Sequence, residues 1–363
     1  MRVILSGGGT AGHINPALSI ADTIAQKEKG SKILFVGTKK GLESTLVPNK
    51  NYDIEYIDVS GIKAKITVEN AVSVLKYLKA VSKCKKMLKS FRPDVVVGTG
   101  GYVCAPVVAA ANSLNIPTVI HEQNVFPGNA IKMLSKKSTV TAISFLESEK
   151  YLKNAKEILY SGNPLRSEIL NASREEARKE LNLENKKFLV IFGGSLGAKT
   201  INDVACEYIN KYGNENNTRI LLATGKFSYD RVKKEIGKKF PDVEVKQYIH
   251  NMSTVMAAAD LLVCRSGAIT VSEISALGVP SILVPSPNVT RNHQEYNARA
   301  LSDDGGAVTI LEKDFNVDSL KQAVDMILND NEKSDKMRSI ALSKGKLNAS
   351  ELIYEKIVEI IKK

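Results

Sequence analysis

The sequence predicts an α/β protein with two domains, each built around a parallel sheet. Runs of β-branched and other apolar residues alternate with stretches of helical period along the chain, which is typical of parallel α/β folds. Two of these runs, 3–5 and 188–192, lead directly into glycine-rich turns that are followed by helical patterns. A chain of 363 residues is long for one domain and natural for two.

The first domain is expected to span residues 1–165. Its predicted strands are the apolar runs 2–5, 33–36, 54–59, 94–97, 116–120, 138–143 and 157–160. Residues 161–164 (SGNP) then interrupt the alternation of strands and helices. We interpret this segment as a linker, because glycine and proline end regular structure.

The second domain is expected to span residues 166–343. Its predicted strands are the runs 188–192, 219–223, 243–247, 261–264, 281–284 and 307–310. The chain then closes with a predicted amphipathic helix over 346–362, whose apolar residues follow helical spacing.

The composition is that of an ordinary globular protein, with 43% apolar and 25% charged residues. No segment approaches the roughly 20 apolar residues of a membrane-spanning helix. The N-terminus reads as a strand rather than a signal peptide, because its apolar run is short and ends in the glycine turn. The four cysteines are far apart and form no C-x-x-C pair, which favours neither zinc nor disulfides and is typical of a reducing cytoplasm.

The net charge of +12 is concentrated in the first domain. Lys and Arg outnumber Asp and Glu by 22 to 12 in residues 1–165, but only by 29 to 27 in the remainder. This excess predicts an anionic partner, such as nucleic acid, a membrane surface or a phosphorylated substrate. Nucleic-acid sites interleave aromatic residues with cations. The basic segment 70–92 offers only Tyr77 and Phe91, which fit its apolar stripe, so we expect no nucleic-acid partner.

Residues 7–12 match the pattern G-x-G-x-x-G through Gly7, Gly9 and Gly12. Dinucleotide-binding folds with this motif place an Asp or Glu at the end of the second strand, where it holds the adenosine ribose. Here that strand ends in residues 37–40 (GTKK), which contain no carboxylate. The motif therefore favours phosphate binding at a helix N-terminus over an NAD-dependent oxidoreductase.

A second glycine turn in the same half of the chain, residues 98–101 (GTGG), also follows a predicted strand. Turns rich in N–H groups at the carboxyl ends of strands bind ligands in open α/β sheets and can hold anions. We therefore expect Gly8, Gly9, Gly100 and Gly101 to face an anion. Two ordinary tight turns between strand and helix are the alternative.

His13 follows the first glycine turn and begins the first predicted helix. A neutral imidazole at this place can take a proton from a hydroxyl nucleophile, and the alternative is a structural histidine. The polar run 121–124 (HEQN) likewise follows a predicted strand. Asn124 is expected to contact a sugar, whereas His121 and Glu122 also fit a buried network that braces the loop.

Three further polar residues are candidates for ligand contacts. Arg166 follows the break at 161–164, and its guanidinium can bind a diphosphate, although a surface arginine is the alternative. Glu273 lies about one turn into the helix predicted after strand 261–264. Its carboxylate can accept both hydroxyls of a ribose, or it favours the helix dipole alone. Gln294 is expected to contact a sugar.

Segment 70–92 is predicted to form an amphipathic helix with a basic face. Its apolar residues at helical spacing are Val72, Leu75, Leu78, Val81, Met87, Leu88 and Phe91. Its cations are Lys76, Lys79, Lys83, Lys85, Lys86, Lys89 and Arg92, and no acidic residue lies between Glu69 and Asp94. Such a helix packs on a core through its apolar stripe or lies on an anionic membrane surface.

Taken in order, these motifs resemble those of the bacterial peptidoglycan glucosaminyltransferases of glycosyltransferase family 28. The resemblance covers essentially the whole chain and rests on segments 7–13, 98–102, 121–124, 162–164, 193–195 and 264–273 and on Gln294. The family usually has a glycine in place of Ala11, which is a small change. The resemblance implies a GT-B fold, in which two Rossmann-like domains face each other across a cleft and segment 344–363 returns to the first domain.

The resemblance also implies the substrates and their contacts. The second domain would bind the donor UDP-N-acetylglucosamine, with Glu273 on the ribose, Ser195 and Arg166 on the diphosphate, and Asn124 and Gln294 on the sugar. The other implied substrate-binding residues are Ile249, Ala268, Ile269 and Thr270 around the uracil and ribose, and Thr10, Ala11 and Gly12 in the first domain.

By the same resemblance, His13 would deprotonate the C4 hydroxyl of the muramoyl sugar of lipid I. That oxygen would attack the anomeric carbon of the donor with inversion, which gives lipid II. The turn 193–198, the helix after it and Arg166 would stabilise the departing UDP. No two aspartates lie two positions apart, so there is no D-x-D metal motif, and we expect neither a metal nor a cofactor.

The first domain would then bind the lipid acceptor. The glycine turns 7–12 and 98–101 would hold the acceptor's diphosphate. The helix over 70–92 would rest on the anionic cytoplasmic face of the cell membrane as a peripheral contact. A GT-B transferase with another lipid acceptor, or a UDP-N-acetylglucosamine epimerase, remains the alternative, although an epimerase would not need the basic amphipathic helix.

Overall fold

The computed structural model describes residues 1–61, 68–183, 185–194, 196–215, 217–237 and 239–362, without the side chains of residues 68–72. The chain folds into two compact units. The first unit comprises Met1–Arg166 and Lys346–Lys363, and the second comprises Ser167–Gly345.

The first unit contains a parallel sheet, and each strand run predicted for this half of the chain overlaps one of its strands. In chain order the strands are β1 (Arg2–Gly7), β2 (Lys32–Gly37), β3 (Asp53–Tyr56), β4 (Val95–Gly100), β5 (Thr118–Glu122), β6 (Val140–Ile143) and β7 (Ile158–Tyr160). They pair in the order β3-β2-β1-β4-β5-β6-β7. The winding direction therefore reverses between β1 and β4, which is the point where open α/β sheets bind ligands.

Helices cover both faces of this sheet. They are α1 (Ala11–Lys27), α2 (Glu43–Leu46), α3 (Val68–Phe91), α4 (Gly101–Ser113) and α5 (Asn129–Leu134), with 3₁₀ turns at Pro48–Lys50 and Leu146–Tyr151. Alternate strand residues point to opposite faces. Val3 and Leu5 therefore pack with α1, whereas Ile4 packs with α3 and α4. Burial on both faces explains why the strands read as continuous apolar runs.

The second unit repeats this architecture with a parallel sheet of its own. Its strands are β8 (Lys187–Phe192), β9 (Thr218–Ala223), β10 (Val243–Lys246), β11 (Leu261–Cys264), β12 (Ser281–Leu283) and β13 (Val308–Thr309). They pair in the order β10-β9-β8-β11-β12-β13, so the winding reverses between β8 and β11. Each strand run predicted for this half overlaps one of these strands.

The helices of the second unit surround its sheet. They are α6 (Ser167–Leu170), α7 (Arg174–Glu180), α8 (Lys199–Tyr212), α9 (Tyr229–Ile236), α10 (Met252–Ala258), α11 (Ala268–Leu277), α12 (His293–Ser302), α13 (Val317–Leu328) and α14 (Asn331–Lys344), with 3₁₀ turns at Thr290–Asn292 and Glu312–Asp314. Asn316 and Ser319 form a capping box that fixes the start of α13. One face of the sheet buries its apolar residues against α8 and α13.

The predicted C-terminal helix is present as α15 (Ala349–Lys362), and it belongs to the first unit. Ile353 and Ile357 are fully buried in the same cluster as Val3, Leu5 and α1. The Tyr354 hydroxyl donates to Glu28 at 2.7 Å. The last helix therefore completes the core on the α1 side of the first sheet.

The predicted amphipathic helix is α3, but the prediction of a single apolar stripe is wrong. Ala80, Cys84 and Leu88 pack on the core, whereas Leu75 and Leu78 are 59% and 58% exposed. At about 100° per residue, Leu75 and Leu88 lie about 140° apart around the helix, so they cannot share one face. No helix within the described ranges is long and apolar enough to cross a membrane.

Residues 161–164, predicted as a linker, form a loop at the end of the first unit's main segment. They are buried rather than exposed, and Asn163 is only 2% exposed. Their polar groups are used in the hydrogen-bond network of the site described below, so the segment is part of the first unit's framework.

Candidate active site

The turn after β1 and the first turn of α1 form one edge of the candidate site. Thr10 is extended and precedes the helix, which begins at Ala11. Thr10 and Ala11 are exposed, and Gly12 and His13 are half-buried. The predicted residues of this segment therefore lie together at a helix N-terminus, where backbone N–H groups and the helix dipole favour negative charge.

The His13 ring is held by the carboxyl end of β4 and by Gln123. His13 Nδ1 lies 2.8 Å from Gln123 Oε1 and 3.1 Å from the Thr99 carbonyl oxygen. The Thr99 hydroxyl donates in return to the His13 carbonyl at 2.7 Å. Gly100 has a φ of +105°, and a Cβ at this position would lie 2.7 Å from His13 Nδ1. The ring therefore fills space that only a glycine leaves open.

A buried polar network extends from His13 into the core of the first unit. Gln123 Nε2 lies 2.8 Å from His121 Nδ1, and His121 Nε2 lies 3.0 Å from the Gly162 carbonyl oxygen. Asn163 Nδ2 donates to the Gln123 carbonyl at 3.1 Å. Burial lowers the pKa of His121 to about 4, so this ring is neutral near pH 7. His121 thus lies in a buried hydrogen-bond network, as in the alternative predicted for it from the sequence.

Glu122 shapes the loop that carries Asn124. Its carboxylate is 2% exposed and accepts hydrogen bonds from Asn124 N at 2.9 Å, from Asn124 Nδ2 at 3.0 Å and from Gly128 N at 2.8 Å. These bonds hold Asn124 just after the carboxyl end of β5. Its contact with a sugar stays a prediction.

The structure revises the expectation that Gly8 and Gly9 hold an anionic ligand, because a carboxylate of the chain already lies there. The buried side chain of Glu43 accepts from Gly9 N at 3.1 Å, from Thr38 N at 2.9 Å and from Thr38 Oγ1 at 2.7 Å. A Cβ on Gly8 would lie 2.9 Å from the same carboxyl group. Glu43 is not among the predicted residues, since nothing in its neighbourhood in the chain signals a contact 34 residues away.

The two glycine turns of the first unit pack backbone against backbone. Gly101 has a φ of +76°, and a Cβ on it would lie only 2.3 Å from the Gly8 carbonyl oxygen. Gly101 is also the first residue of α4. Of the four glycines predicted to face an anion, Gly100 and Gly101 thus lie at a helix N-terminus, where anions bind favourably.

The turn after β8 lies in the second unit where the turn after β1 lies in the first, next to the reversal of the strand order. Ser195, predicted to contact a diphosphate, lies outside the described residues. Gly197 has a φ of +79°, and a Cβ on it would lie 2.0 Å from the Thr224 carbonyl oxygen, so only glycine fits against the turn after β9. Asn202 Nδ2 donates to that same carbonyl at 2.9 Å. Asn202 is fully buried, and the sequence analysis missed it.

The residues predicted around the uracil and ribose lie at the carboxyl edge of the second sheet. Ala268, Ile269 and Thr270 form the first turn of α11, and Glu273 follows in the second turn with 8% exposure. Ile249 is 2% exposed and lies in the loop between β10 and α10. The ligand contacts of these residues stay predictions.

Gln294 lies at the start of α12 and is tied to the turn before α11. Its Oε1 accepts from Ser286 N at 2.9 Å, and its carbonyl accepts from the Ser266 hydroxyl at 2.8 Å. Asn297 Nδ2 also donates to the Ser266 carbonyl at 3.2 Å. The side-chain amide nitrogen of Gln294 is therefore the group that can donate to a sugar.

Two arginines near the candidate sites have different surroundings. Arg265 pairs with Glu312 and donates to the carbonyls of Val284 and Pro285 at 3.1 and 3.2 Å, which gives it a structural role. Arg166, predicted to bind a diphosphate, is the last residue of the first unit's main segment.

Within the described part of the chain, no group of three or more His, Cys, Asp or Glu residues could hold a metal ion.

Each of the two parallel sheets thus carries a glycine-rich turn at the point where its strand order reverses, as Rossmann-like domains do, and two such domains in one chain are typical of the GT-B class. Sequence profiles agree with this class. The profile described as "Glycosyltransferase family 28 N-terminal domain" matches residues 3–143, and "Glycosyltransferase family 28 C-terminal domain" matches residues 188–353. The chain belongs to glycosyltransferase family 28.

Named relatives cover the whole chain. A protein of Acetivibrio thermocellus is 49% identical in an alignment of 364 positions, which covers 100% of this chain and 99% of the relative. It is named "UDP-N-acetylglucosamine--N-acetylmuramyl-(pentapeptide) pyrophosphoryl-undecaprenol N-acetylglucosamine transferase". A Bacillus cereus protein with the same name, numbered 1, is 42% identical over 366 residues and is covered completely, as is this chain.

Solved structures show the same fold. The crystal structure of Acinetobacter baumannii MurG has a TM-score of 0.80 and 28% identity, with 99% of each chain covered. The Neisseria meningitidis UDP-GlcNAc 2-epimerase bound to UDP-GlcNAc has a TM-score of 0.69 and 16% identity, over 99% of this chain and 100% of that one. The second likeness concerns the fold alone.

The contact between Gly100 and His13 can be tested by adding one methyl group. Gly100→Ala places a Cβ against the His13 ring, and displacing that ring is expected to lower kcat for glycosyl transfer by about 100-fold or more. Gly30→Ala is the matched control, because Gly30 also has a positive φ, +85°, but nothing within 4 Å of its Cβ position. Equal losses of kcat in both variants would show that backbone strain, not the ring, is responsible.

The anchoring role of Glu43 can be tested through stability. Glu43→Ala leaves the buried donors of Thr38 and Gly9 without their acceptor, so we expect a loss of about 2 to 4 kcal/mol in the free energy of unfolding. Urea denaturation measures this loss. The exposed residue Glu147 provides the control, and Glu147→Ala should change stability by no more than about 0.5 kcal/mol. Equal stability of the two variants would contradict the anchoring role.

Proposed function

We propose that this chain transfers N-acetylglucosamine from UDP-N-acetylglucosamine to the C4 hydroxyl of the muramoyl sugar of lipid I, the undecaprenyl-diphosphate-linked muramoyl peptide. The product is lipid II, the precursor of peptidoglycan. The observation that carries the proposal is the 49% identity, over the whole chain, to a transferase named for this donor and acceptor. The position of His13 in the first turn of α1, with its ring held by Thr99 and Gln123, supports the proposal.

The donor is assigned to the second unit. Glu273 would accept hydrogen bonds from the ribose hydroxyls, and the segment 268–270 with the backbone at Ile249 would surround the uracil and ribose. Ser195 and Arg166 would bind the diphosphate. A buried carboxylate such as that of Glu273 favours a ligand that offers two hydroxyl donors, because charge-assisted hydrogen bonds are the stronger ones.

The sugar and the reacting groups complete the assignment. Asn124 and Gln294 would bind the N-acetylglucosamine ring, and His13 would take the proton of the attacking hydroxyl as a general base. The bond between the anomeric carbon and the diphosphate oxygen breaks as the new glycosidic bond forms, with inversion. The N-terminus of α8 and Arg166 would stabilise the negative charge on the departing UDP, as a preorganised dipole and a cation do.

The acceptor is assigned to the first unit, with Thr10, Ala11 and Gly12 beside it. We place its diphosphate at Gly100 and Gly101, where α4 begins, rather than at Gly9, whose N–H already donates to Glu43. The excess of Lys and Arg in residues 1–165 favours the same anionic acceptor.

The membrane contact is assigned to α3. Its exposed residues Val74, Leu75 and Leu78 form an apolar patch, and the exposed cations Lys79 and Lys86 lie on the same helix. An apolar patch flanked by cations inserts into the interface of an anionic bilayer. Each basic residue near the surface contributes about 1 kcal/mol. We therefore propose that the protein lies on the cytoplasmic face of the cell membrane as a peripheral protein.

A transfer assay tests the reaction. Labelled N-acetylglucosamine should pass from UDP onto a lipid I analogue in the presence of EDTA, and His13→Ala should lower kcat by about 100-fold or more through loss of the base. Binding of UDP-N-acetylglucosamine to His13→Ala should be unchanged, which controls for folding. Glu273→Ala should instead raise the donor KM by about 10- to 100-fold, which corresponds to the loss of a charge-assisted bond.

Other outcomes of the assay would change the assignment. Donor binding without transfer by the wild type would mean a different acceptor or an epimerase. Transfer that stops in EDTA would contradict the metal-free reaction. Full activity of His13→Ala would return His13 to a structural role.

Vesicle binding tests the role of α3. Leu75→Ser with Leu78→Ser should weaken binding to phosphatidylglycerol vesicles by about 10-fold or more, because two exposed apolar side chains no longer enter the interface. Phe227→Ser is the control, since Phe227 is 82% exposed but lies in the second unit. Equal binding by the wild type and the double variant, or equal binding to neutral vesicles, would contradict the assignment.

A further inference from the structure

The hydrogen bonds that link His13 to Gln123 and His121 determine which nitrogen of the His13 ring carries the hydrogen. The buried partner of His121, the Gly162 carbonyl, is the first of these groups. The carbonyl oxygen of Gly162 only accepts hydrogen bonds, so His121 Nε2, 3.0 Å away, carries a hydrogen. The Ser144 hydroxyl is 3.1 Å from the same nitrogen and has acceptors of its own, the Glu122 carbonyl and Asn163 Oδ1, both at 2.8 Å. Ser144 therefore accepts from His121 rather than donating to it.

His121 then acts as an acceptor through its other nitrogen. The ring is fully buried, and burial lowers its pKa to about 4, so it holds a single proton near pH 7. Since that proton is on Nε2, the Nδ1 atom of His121 presents a lone pair. An atom of the Gln123 side-chain amide lies 2.8 Å from His121 Nδ1.

The amide of Gln123 has only one favourable orientation. One end of it is surrounded by acceptors: His121 Nδ1 at 2.8 Å, the Thr99 carbonyl at 2.8 Å and the His121 carbonyl at 3.1 Å. An amide oxygen at that end would face three acceptors without a donor, so the NH₂ group lies there. The oxygen of Gln123 therefore points at His13.

His13 Nδ1 thus meets two acceptors, Gln123 Oε1 at 2.8 Å and the Thr99 carbonyl at 3.1 Å. A ring nitrogen between two acceptors carries the hydrogen, and the other nitrogen of a neutral imidazole is then the basic one. The same logic applies in serine proteases, where a residue behind the catalytic histidine fixes its tautomer.

We propose that Gln123 and His121 are positioning residues that hold neutral His13 in the Nδ1–H tautomer, so that Nε2 is the atom that accepts the proton of the attacking hydroxyl. The part of this inference that concerns proton transfer rests on the proposed function, whereas the tautomer is a property of the protein alone. During transfer the proton moves from the hydroxyl oxygen to His13 Nε2, and the imidazolium keeps its Nδ1–H bonds to Gln123 and Thr99.

The network also explains why an amide rather than a carboxylate supports this histidine. Gln123 donates to His121 and Thr99 at one end and accepts from His13 at the other. A glutamate would offer acceptors at both ends and would face the Thr99 carbonyl with a negative charge. The identity of residue 123 is therefore set by both of its neighbours.

The test measures the tautomers by ¹⁵N NMR of protein labelled at histidine, without substrate, near pH 7.5. The wild type should show His13 as Nδ1–H and His121 as Nε2–H, two opposite tautomers in one spectrum, with the His13 signals assigned by their absence in His13→Asn. An Nε2–H tautomer for His13, or an Nδ1–H tautomer for His121, would overturn the proposal. These wild-type measurements need no other variant to fold and no acceptor to react.

A variant of Gln123 tests the cause. Gln123→Met keeps the length of the side chain but removes both hydrogen-bonding ends, so the Nε2–H population of His13 should rise, while the Thr99 carbonyl keeps part of the Nδ1–H form. In the transfer assay kcat should fall by about 10- to 100-fold, the usual effect of losing such a supporting contact, with the donor KM unchanged. Gln26→Met, at an exposed position of α1, is the matched control.

The two readouts separate the possible failures. A fall in kcat without a change of tautomer would make Gln123 merely structural and would overturn the proposal, as would an unchanged kcat together with a changed tautomer. If the wild type shows both expected tautomers and Gln123→Met shifts that of His13, but no transfer to lipid I is found, then the network stands and the proposed acceptor fails.

Discussion

The site in the first unit depends on the paired hydrogen bonds between His13 and Thr99. The side chain of each residue bonds to the carbonyl of the other, and together they join the start of α1 to the carboxyl end of β4. The helix α1 follows β1 directly, and β1 and β4 are the neighbouring strands between which the sheet reverses its winding. Glycine at position 100 is the condition for this pairing, because any side chain there would occupy the space of the imidazole.

The second unit repeats the topology but stabilises its ligand edge differently. Its turns are joined mainly through backbone carbonyls that accept from buried amides, as in the bonds from Asn202 to Thr224 and from Asn297 to Ser266. In the first unit a chain of imidazole and amide groups leads from the half-buried His13 into the core. The arrangement in the second unit fixes turns beside helix N-termini, where anions bind favourably, whereas that in the first unit fixes the orientation of the His13 ring.

The strands could be predicted from the sequence because burial on both faces makes them continuous apolar runs, and the glycine turns and His13 could be predicted because they follow such runs directly. The partners of His13 and Gly9 could not. Gln123 lies 110 residues from His13, and Glu43 lies 34 residues from Gly9, and no local pattern encodes such distances. The single stripe predicted for α3 failed for a geometric reason, since Leu75 and Leu88 are too far apart around the helix. The contacts proposed for Ser195 and Glu273 rest on the resemblance and stay predictions.

The buried carboxylate of Glu43 distinguishes the first glycine turn of the chain from that of the second unit. The turns after β1 and β8 are alike in sequence, and a diphosphate has reason to bind either one. At the first turn it would meet the carboxylate of Glu43, and two like charges 4 Å apart repel by about 4 kcal/mol at an effective dielectric constant of about 20. The Glu43 carboxylate therefore occupies, in the first unit, the place where a phosphate would bind, and it disfavours a second anion at that turn.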